Sequence, residues 1–213
     1  MSNQWFQIAN LVSISRILLT PFVGYYLAQG DSRSTLICAA LLVLAGITDG
    51  LDGYLARRLK QVSEFGIALD PIADKIFAGV LVVLLIFYRD FPIWLAAAIV
   101  GRDLLILIAG SILLRGRKVV IPSNITGKYT FGVMAFLLGS YVIRFPFGIW
   151  LTTWVTVILL ILSTLIYARV FWHVRRGQAP PVFRDKLMYK VLRVSLSSFA
   201  LGVYLFRLVA ELV

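Results

Sequence analysis

Long apolar runs, each about the length that crosses a bilayer, alternate along the chain with short polar or Pro/Gly-containing breaks. Six runs can be drawn, at 10–29, 34–57, 65–88, 93–114, 122–143 and 149–172. The breaks between them are brief: GDSR at 30–33, RLKQVSE at 58–64, YRDFP at 88–92, RGRKVVI at 115–121 and RFPFG at 144–148. The pattern predicts helices packed side by side, joined by tight connections, and no strand. A last run, 187–213, is harder to place. Its longest uncharged stretch, VSLSSFALGVYLF, has 13 residues and is flanked by Arg193 and Arg207. That shortness tilts the reading towards an amphipathic helix on the membrane surface, with a seventh span and snorkelling ends as the alternative.

Composition turns this helical pattern into a class. Of 213 residues 60% are hydrophobic and 15% charged, whereas a soluble domain carries about a quarter charged residues. One core with a polar coat cannot absorb that much apolar surface, so the expectation is an all-α integral membrane protein. Its membrane domain would occupy 1–186 as a six-helix bundle, with 187–213 as an additional C-terminal helix. The formal net charge of +11 belongs to loops facing the cytoplasm and anionic lipid rather than to nucleic acid. Arg57, Arg58 and Lys60 cluster at the second break, Arg115, Arg117 and Lys118 at the fourth, and Arg175 and Arg176 after the sixth run. The odd-numbered breaks hold one base each: Arg33, Arg89 and Arg144. The even-numbered breaks and the N-terminus therefore face the cytoplasm. Cys38, the one cysteine, reads as a small buried residue, and the one histidine, His173, at a run's end, gives no histidine metal site. The first nine residues lack the basic start of a cleaved signal peptide, and Trp5 and Phe6 read as interfacial anchors.

The acidic residues fall where hydrophobic helices least tolerate them. Four of the ten lie in ITDGLDGYLARRLKQVSEFGIALDPIADK. Asp49 and Asp52 are three apart and share one helix face; Asp70 and Asp74 are four apart and share a face of the next helix. Both pairs lie roughly 8 Å from the 58–64 break at 1.5 Å per residue, so four carboxylates can converge just inside the cytoplasmic boundary. Unanswered, they would repel one another at a cost of several kcal/mol. A cage of carboxylate oxygens suits Mg²⁺, Mn²⁺ or Ca²⁺, and four carboxylates can hold two metals, an arrangement used for displacement at phosphorus. Gly50, Gly53 and Ala56 thin one helix, Gly66 thins the next, and Arg57 is placed to meet a phosphate. Two other readings stand beside this one. The acids could pair with Arg57, Arg58 and Lys75 as packing ion pairs, or they could mark the path of a cation or proton transporter.

At these residues the chain resembles the CDP-alcohol phosphotransferases. Residues 49–74 read D-x-x-D-G-x-x-A-R-(x)8-G-x-x-x-D-x-x-x-D, matching at Asp49, Asp52, Gly53, Ala56, Arg57, Gly66, Asp70 and Asp74. The resemblance covers about 1–176 and leaves out 187–213. It implies a six-helix membrane enzyme, a homodimer in the cytoplasmic membrane of a bacterium with its site open to the cytoplasm. Such an enzyme transfers a substituted phosphate from a CDP-alcohol, here CDP-diacylglycerol, to an acceptor hydroxyl and releases CMP, in phospholipid synthesis. It further implies two divalent cations, Mg²⁺ or Mn²⁺, on Asp49, Asp52, Asp70 and Asp74, with Asp74 also taking the acceptor's proton. Gly53, Ala56, Arg57, Ser63 and Gly66 correspond to the donor-binding stretch, and Asn10 and Ser13 in NLVSISR to the donor end of the first helix.

The acceptor is read from bases on later helices. Arg102 in AIVGRDLLIL and Lys128 in PSNITGKYTF invite an anionic acceptor. Asp103 follows Arg102 directly; adjacent residues do not share a helix face, so the pair is not expected to neutralise itself. NLVSISRILLTPF and ITGK look like bacterial phosphatidylglycerophosphate synthases, which favours glycerol 3-phosphate. Those enzymes usually carry a further Arg two turns after the one matching Arg102, where this chain has Gly110. GRDLLIL with PSNITGK also resembles the family's cardiolipin synthases, which use phosphatidylglycerol; inositol phosphate and serine are further alternatives.

Overall fold

A computed structural model describes the backbone of residues 8–58, 64–114, 125–176 and 187–212, and side-chain surroundings for 18–48, 75–106, 108–109, 129–176 and 194–211. Among these residues the chain forms seven α-helices and no strand. They are α1 (Ile8–Gln29), α2 (Ser32–Arg58), α3 (Glu64–Arg89), α4 (Ile93–Leu114), α5 (Ile125–Val142), α6 (Pro146–Arg175) and α7 (Leu187–Leu212). The six predicted runs coincide with α1–α6 to within three residues at every end.

The chain divides into two compact units: Met1–Pro92 with Tyr141–Arg144, and Ile93–Ser140 with Phe145–Val213. In the first, α1 packs against both α2 and α3. Val23 and Leu27 of α1, Cys38 and Ala45 of α2, and Leu81 and Leu85 of α3 are among its buried apolar side chains. Cys38 is free and fully buried, as expected of a small packing residue. A methyl group at Gly24 would come within 3.4 Å of Leu84, so α1 and α3 approach closely there.

The connections explain where the helices stop. Gly30 takes φ +72°, a left-handed conformation cheap only for glycine, and ends α1. Asp31 then caps α2: its carboxylate accepts from the Ser34 amide at 3.1 Å, while its carbonyl accepts from the Thr35 amide at 2.9 Å. Hydrogen bonds from Ser34 hold the Asp31 carboxyl below the ordinary value of 3.8. At the end of α3, Arg89 is only 6% exposed, and carbonyl and hydroxyl oxygens hold its charge. It donates to the carbonyls of Val142 (3.3 Å) and Tyr88 (3.0 Å) and to the Thr35 hydroxyl (3.3 Å). It thereby ties the starts and ends of three segments together, and Phe91 packs on Tyr141 beside it with ring centroids 4.8 Å apart.

In the second unit α4 packs on α6, and α6 on α7. The buried side of α6 carries Gly148, Thr152, Thr156, Leu160, Ser163, Val170 and Val174. Its exposed side carries Trp150, Trp154, Ile158, Ile161, Leu165 and Trp172. Glycine and hydroxylic residues make up four of the seven inward positions, beside Leu160, Val170 and Val174, while tryptophans and large aliphatics face outward, a pattern of helices packed within lipid. Pro146–Arg175 and, in α7, Val194–Glu211 are long and apolar enough to cross a membrane. Pro146 opens α6, where its missing amide costs nothing. Gly148 follows because a methyl group there would strike the Phe145 ring and come within 2.8 Å of the Ser140 hydroxyl.

Replacing Arg89 by Met strips three oxygens of a buried charged donor. Thermal unfolding in detergent should show a loss of about 2–3 kcal/mol; an unchanged midpoint would mean those bonds are made equally well by water. The Asp31 cap sets a pH dependence of known sign. A carboxyl held below its unfolded value adds stability above pH 3.8 and loses it as pH falls through its depressed folded value. The midpoint gap between the wild-type chain and Asp31→Ala should therefore be present near neutrality and narrow below that value; a gap that widens on acidification would contradict the assignment.

Candidate active site

The acid-bearing stretch falls on two unbroken helices. Asp49, Asp52, Gly53, Ala56 and Arg57 lie in the second half of α2, and Gly66, Asp70 and Asp74 in the first half of α3. Uninterrupted helix keeps each acid pair at the spacing that shares a face. Both helices pack on α1, whose first turns hold Asn10 and Ser13. The side chains of all these residues lie outside the described ones, as do the whole of Ser63 and the side chain of Lys128 at the start of α5. The donor set nonetheless fits divalent cations. It consists of carboxylates alone, hard oxygen ligands suited to Mg²⁺ or Mn²⁺, carried on two successive helices with no softer ligand among them.

Arg102 is described in full. It lies 10 residues into α4, its side chain 16% exposed. Nη1 meets Asp103 Oδ1 at 2.6 Å, Nη2 donates to Ser163 Oγ on α6, and the guanidinium lies 5.7 Å from the centre of the Tyr167 ring. Nε is fully buried and has no hydrogen-bond partner among the described residues.

This corrects the expectation that Arg102 and Asp103 do not neutralise each other. Their Cα–Cβ bonds do diverge by about 100° around the helix. The arginine stem is long enough to fold back across that angle, and at 16% exposure its charge gains more from the carboxylate than from water. Asp103, 40% exposed, keeps partial contact with the outside while its partner is drawn in.

Ser163 and Tyr167 were not singled out from sequence. Ser163 is completely buried and belongs to the small and hydroxylic side of α6. The spacing of Gly148, Thr152, Thr156 and Ser163 at four, four and seven residues was the available signal. A guanidinium has five donors in a rigid fork. With one arm on Asp103 and one on Ser163, the fork is fixed in orientation.

Comparison with known proteins agrees with the motif. The family model for CDP-alcohol phosphatidyltransferase matches residues 6–165, from α1 well into α6 and short of α7. Over 107 residues the chain is 45% identical to a Drosophila melanogaster protein named "Probable cardiolipin synthase (CMP-forming)", a match covering 50% of this chain and 32% of that protein. Over 128 residues it is 39% identical to the Homo sapiens cardiolipin synthase (CMP-forming), covering 60% and 40%. It thus spans between a third and two-fifths of the length of those relatives. Over 187 residues it is 30% identical to the CDP-diacylglycerol–glycerol-3-phosphate 3-phosphatidyltransferase of Bacillus subtilis, covering 78% of this chain and 96% of that protein.

Proposed function

The chain belongs to the CDP-alcohol phosphatidyltransferase family, and from that premise we propose that it moves a phosphatidyl group from CDP-diacylglycerol to an acceptor hydroxyl, releasing CMP. The observation that carries this reading is the set of four aspartates with Gly53, Ala56, Arg57 and Gly66 on two successive apolar helices. Transport would need the acids but not the glycines and the arginine. The names of the relatives support the same donor and the same leaving group.

The six helices α1–α6 are proposed as membrane spans, with the basic breaks 58–64 and 115–121 on the cytoplasmic side. The acids, near the 58–64 break, then open to the cytoplasm, in a bacterial cytoplasmic membrane and in a homodimer. A donor there keeps its acyl chains in lipid while its head group reaches the acids.

Two divalent cations, Mg²⁺ or Mn²⁺, would be held by Asp49, Asp52, Asp70 and Asp74, and when bound would neutralise the diphosphate and stabilise the leaving CMP. Gly53, Ala56 and Gly66 leave room for the donor against the helix backbones. Asn10, Ser13, Arg57 and Ser63 bind its cytidine and phosphate groups. An Asp74 carboxylate oxygen takes the acceptor's proton as the acceptor oxygen bonds to the diacylglycerol-bearing phosphorus. The bond from that phosphorus to the bridging oxygen breaks, and its electron pair leaves with CMP.

The acceptor is proposed as glycerol 3-phosphate, bound through Arg102 and Lys128. A second reading, phosphatidylglycerol and hence cardiolipin synthesis, is favoured by the Arg102–Asp103 pair and by Gly110, which together leave less positive charge for a phosphate monoester.

Purified protein given CDP-diacylglycerol and Mg²⁺ or Mn²⁺ should release CMP with glycerol 3-phosphate and not with inositol phosphate or serine. Release with phosphatidylglycerol alone would install the second reading, and release with none would reject both. Asp74→Asn should lower turnover by about 10²–10⁴-fold, the usual contribution of a general base, in protein that unfolds at the same temperature. Arg102→Ala should raise the acceptor KM about tenfold or more and Ser163→Ala several-fold, each leaving the donor KM within twofold; equal effects on both substrates would remove these residues from the acceptor pocket.

A further inference from the structure

We infer that α7 crosses the bilayer as a seventh span, its exposed side occupied by lipid acyl chains, and that it carries the end of the chain to the face opposite residues 177–186. This rests on the orientation proposed above and goes beyond it, since α7 lies outside the family match.

The argument is one of reach. The chain leaves α6 at Arg175, and α6, with 30 residues, is about 45 Å long at 1.5 Å per residue. Tyr204 and Arg207 of α7 are found at the other end of α6. The Tyr204 hydroxyl is 2.9 Å from Ser140 Oγ. Ser140 Oγ itself donates to the Phe136 carbonyl at 2.7 Å, so Tyr204 is the donor in their bond. The Tyr204 ring stands edge-on to Phe145 and Phe136, with centroids 5.2 and 5.5 Å apart, and the Arg207 guanidinium is 5.5 Å from the Phe147 ring centre. A helix lying on the membrane face where α6 ends cannot meet Ser140, Phe145 and Phe147. Between Arg175 and Tyr204 the chain has to return along the length of α6.

The register along α7 agrees with a bilayer. With Arg207 beside Phe147 at one boundary, Arg193 and Lys190 lie about 21 and 26 Å away along a helix axis. A hydrocarbon core is about 30 Å thick. A Lys or Arg some ångströms inside the boundary reaches it through the length of its own stem. No charge intervenes between Arg193 and Arg207. Arg169, the first charged residue of α6, falls about 33 Å from Phe147, a span comparable with the thickness of a hydrocarbon core.

Tyr204 is the buried side chain of the described part of α7, at 7% exposure. Val194, Leu196, Phe199, Leu205, Phe206 and Val209 stand exposed on the other side. A surface helix would show one apolar stripe and a broad polar face. In α7 the apolar side chains cover about half of the circumference, and by helix spacing Lys190, Arg193, Arg207 and Glu211 share the side of Tyr204, so it is the reach to the far end of α6 that separates a span from a surface helix.

The test is cysteine labelling of the full chain in Cys38→Ala background, in sealed right-side-out membrane vesicles, with a membrane-impermeant maleimide. One variant carries Gln178→Cys and another Val213→Cys. We expect position 213 to label in intact vesicles and position 178 only after permeabilisation. Labelling of both positions on the same side would overturn the seventh span. Labelling of 178 from outside and 213 only after permeabilisation would uphold the crossing while rejecting the orientation proposed above. Should Cys38→Ala fail to accumulate, protease-cleavable tags placed after Gln178 in one chain and after Val213 in another, with Cys38 kept, give the same readout: cleavage of one in intact vesicles and of the other only after permeabilisation supports the inference, and the same behaviour for both refutes it.

Discussion

A charge set into an apolar helix must be answered by something other than bulk water, and this chain answers it in distinct ways. Arg89 is met by two backbone carbonyls and a hydroxyl at the end of its helix, where carbonyls are left over from helix termination. Arg102 is met by a neighbouring carboxylate, a serine from the helix packed against it and the face of a tyrosine. The four aspartates of α2 and α3 have no such local supply of countercharge in their own run beyond Arg57, Arg58 and Lys75, and bound cations are proposed to complete it. The same physical demand thus yields a structural clasp in one place and a site for chemistry in another. What separates them is whether the compensating group is part of the chain.

The packing follows from the same solvent. Where both sides of a helix face apolar surroundings, burying leucine gains little, and close approach of backbones becomes the source of adhesion. On α6 that appears as glycine and threonine inward at successive turns, with tryptophans and branched aliphatics outward. The threonines spend their hydroxyls within the helix, as Thr152 does on the Gly148 carbonyl at 2.6 Å. Gly148 allows the tight α5–α6 turn, and that turn in turn presents Ser140 and Phe145 to Tyr204. One missing methyl group therefore underlies both the turn and the seat of α7.

The helix boundaries were legible because Pro, Gly and charge collect where the apolar runs stop. The acid motif was legible because charged residues inside such runs are rare. Sequence failed where geometry depends on side-chain length or on remote partners. Arg102 and Asp103 were separated by counting angles between Cβ bonds, which ignores how far a guanidinium travels from its own Cα. Ser163 drew no attention because a serine in a membrane helix is unremarkable until a charge is found beside it. The 13 uncharged residues of the last run tilt the sequence reading towards a surface helix and leave a span as the alternative. Only the position of Tyr204 and Arg207 at the far end of α6 separates the two.

The charge balance around Arg102 bears on what the proposed acceptor must bring. A phosphate monoester such as glycerol 3-phosphate carries close to two negative charges near neutrality, and a phosphodiester such as phosphatidylglycerol carries one. Arg102 with Asp103 sums to zero, and Gly110 adds nothing, which leaves Lys128 as the net positive charge counted toward the acceptor pocket. One net positive charge matches one negative charge. A monoester would have to draw on the buried Nε–H of Arg102 or loosen Asp103, whose 40% exposure makes it the partner more easily released to water. In the proposed acceptor pocket, Asp103 is the residue that sets the net charge beside Arg102. Its carboxylate offsets one positive charge without removing the arginine fork that any phosphate uses.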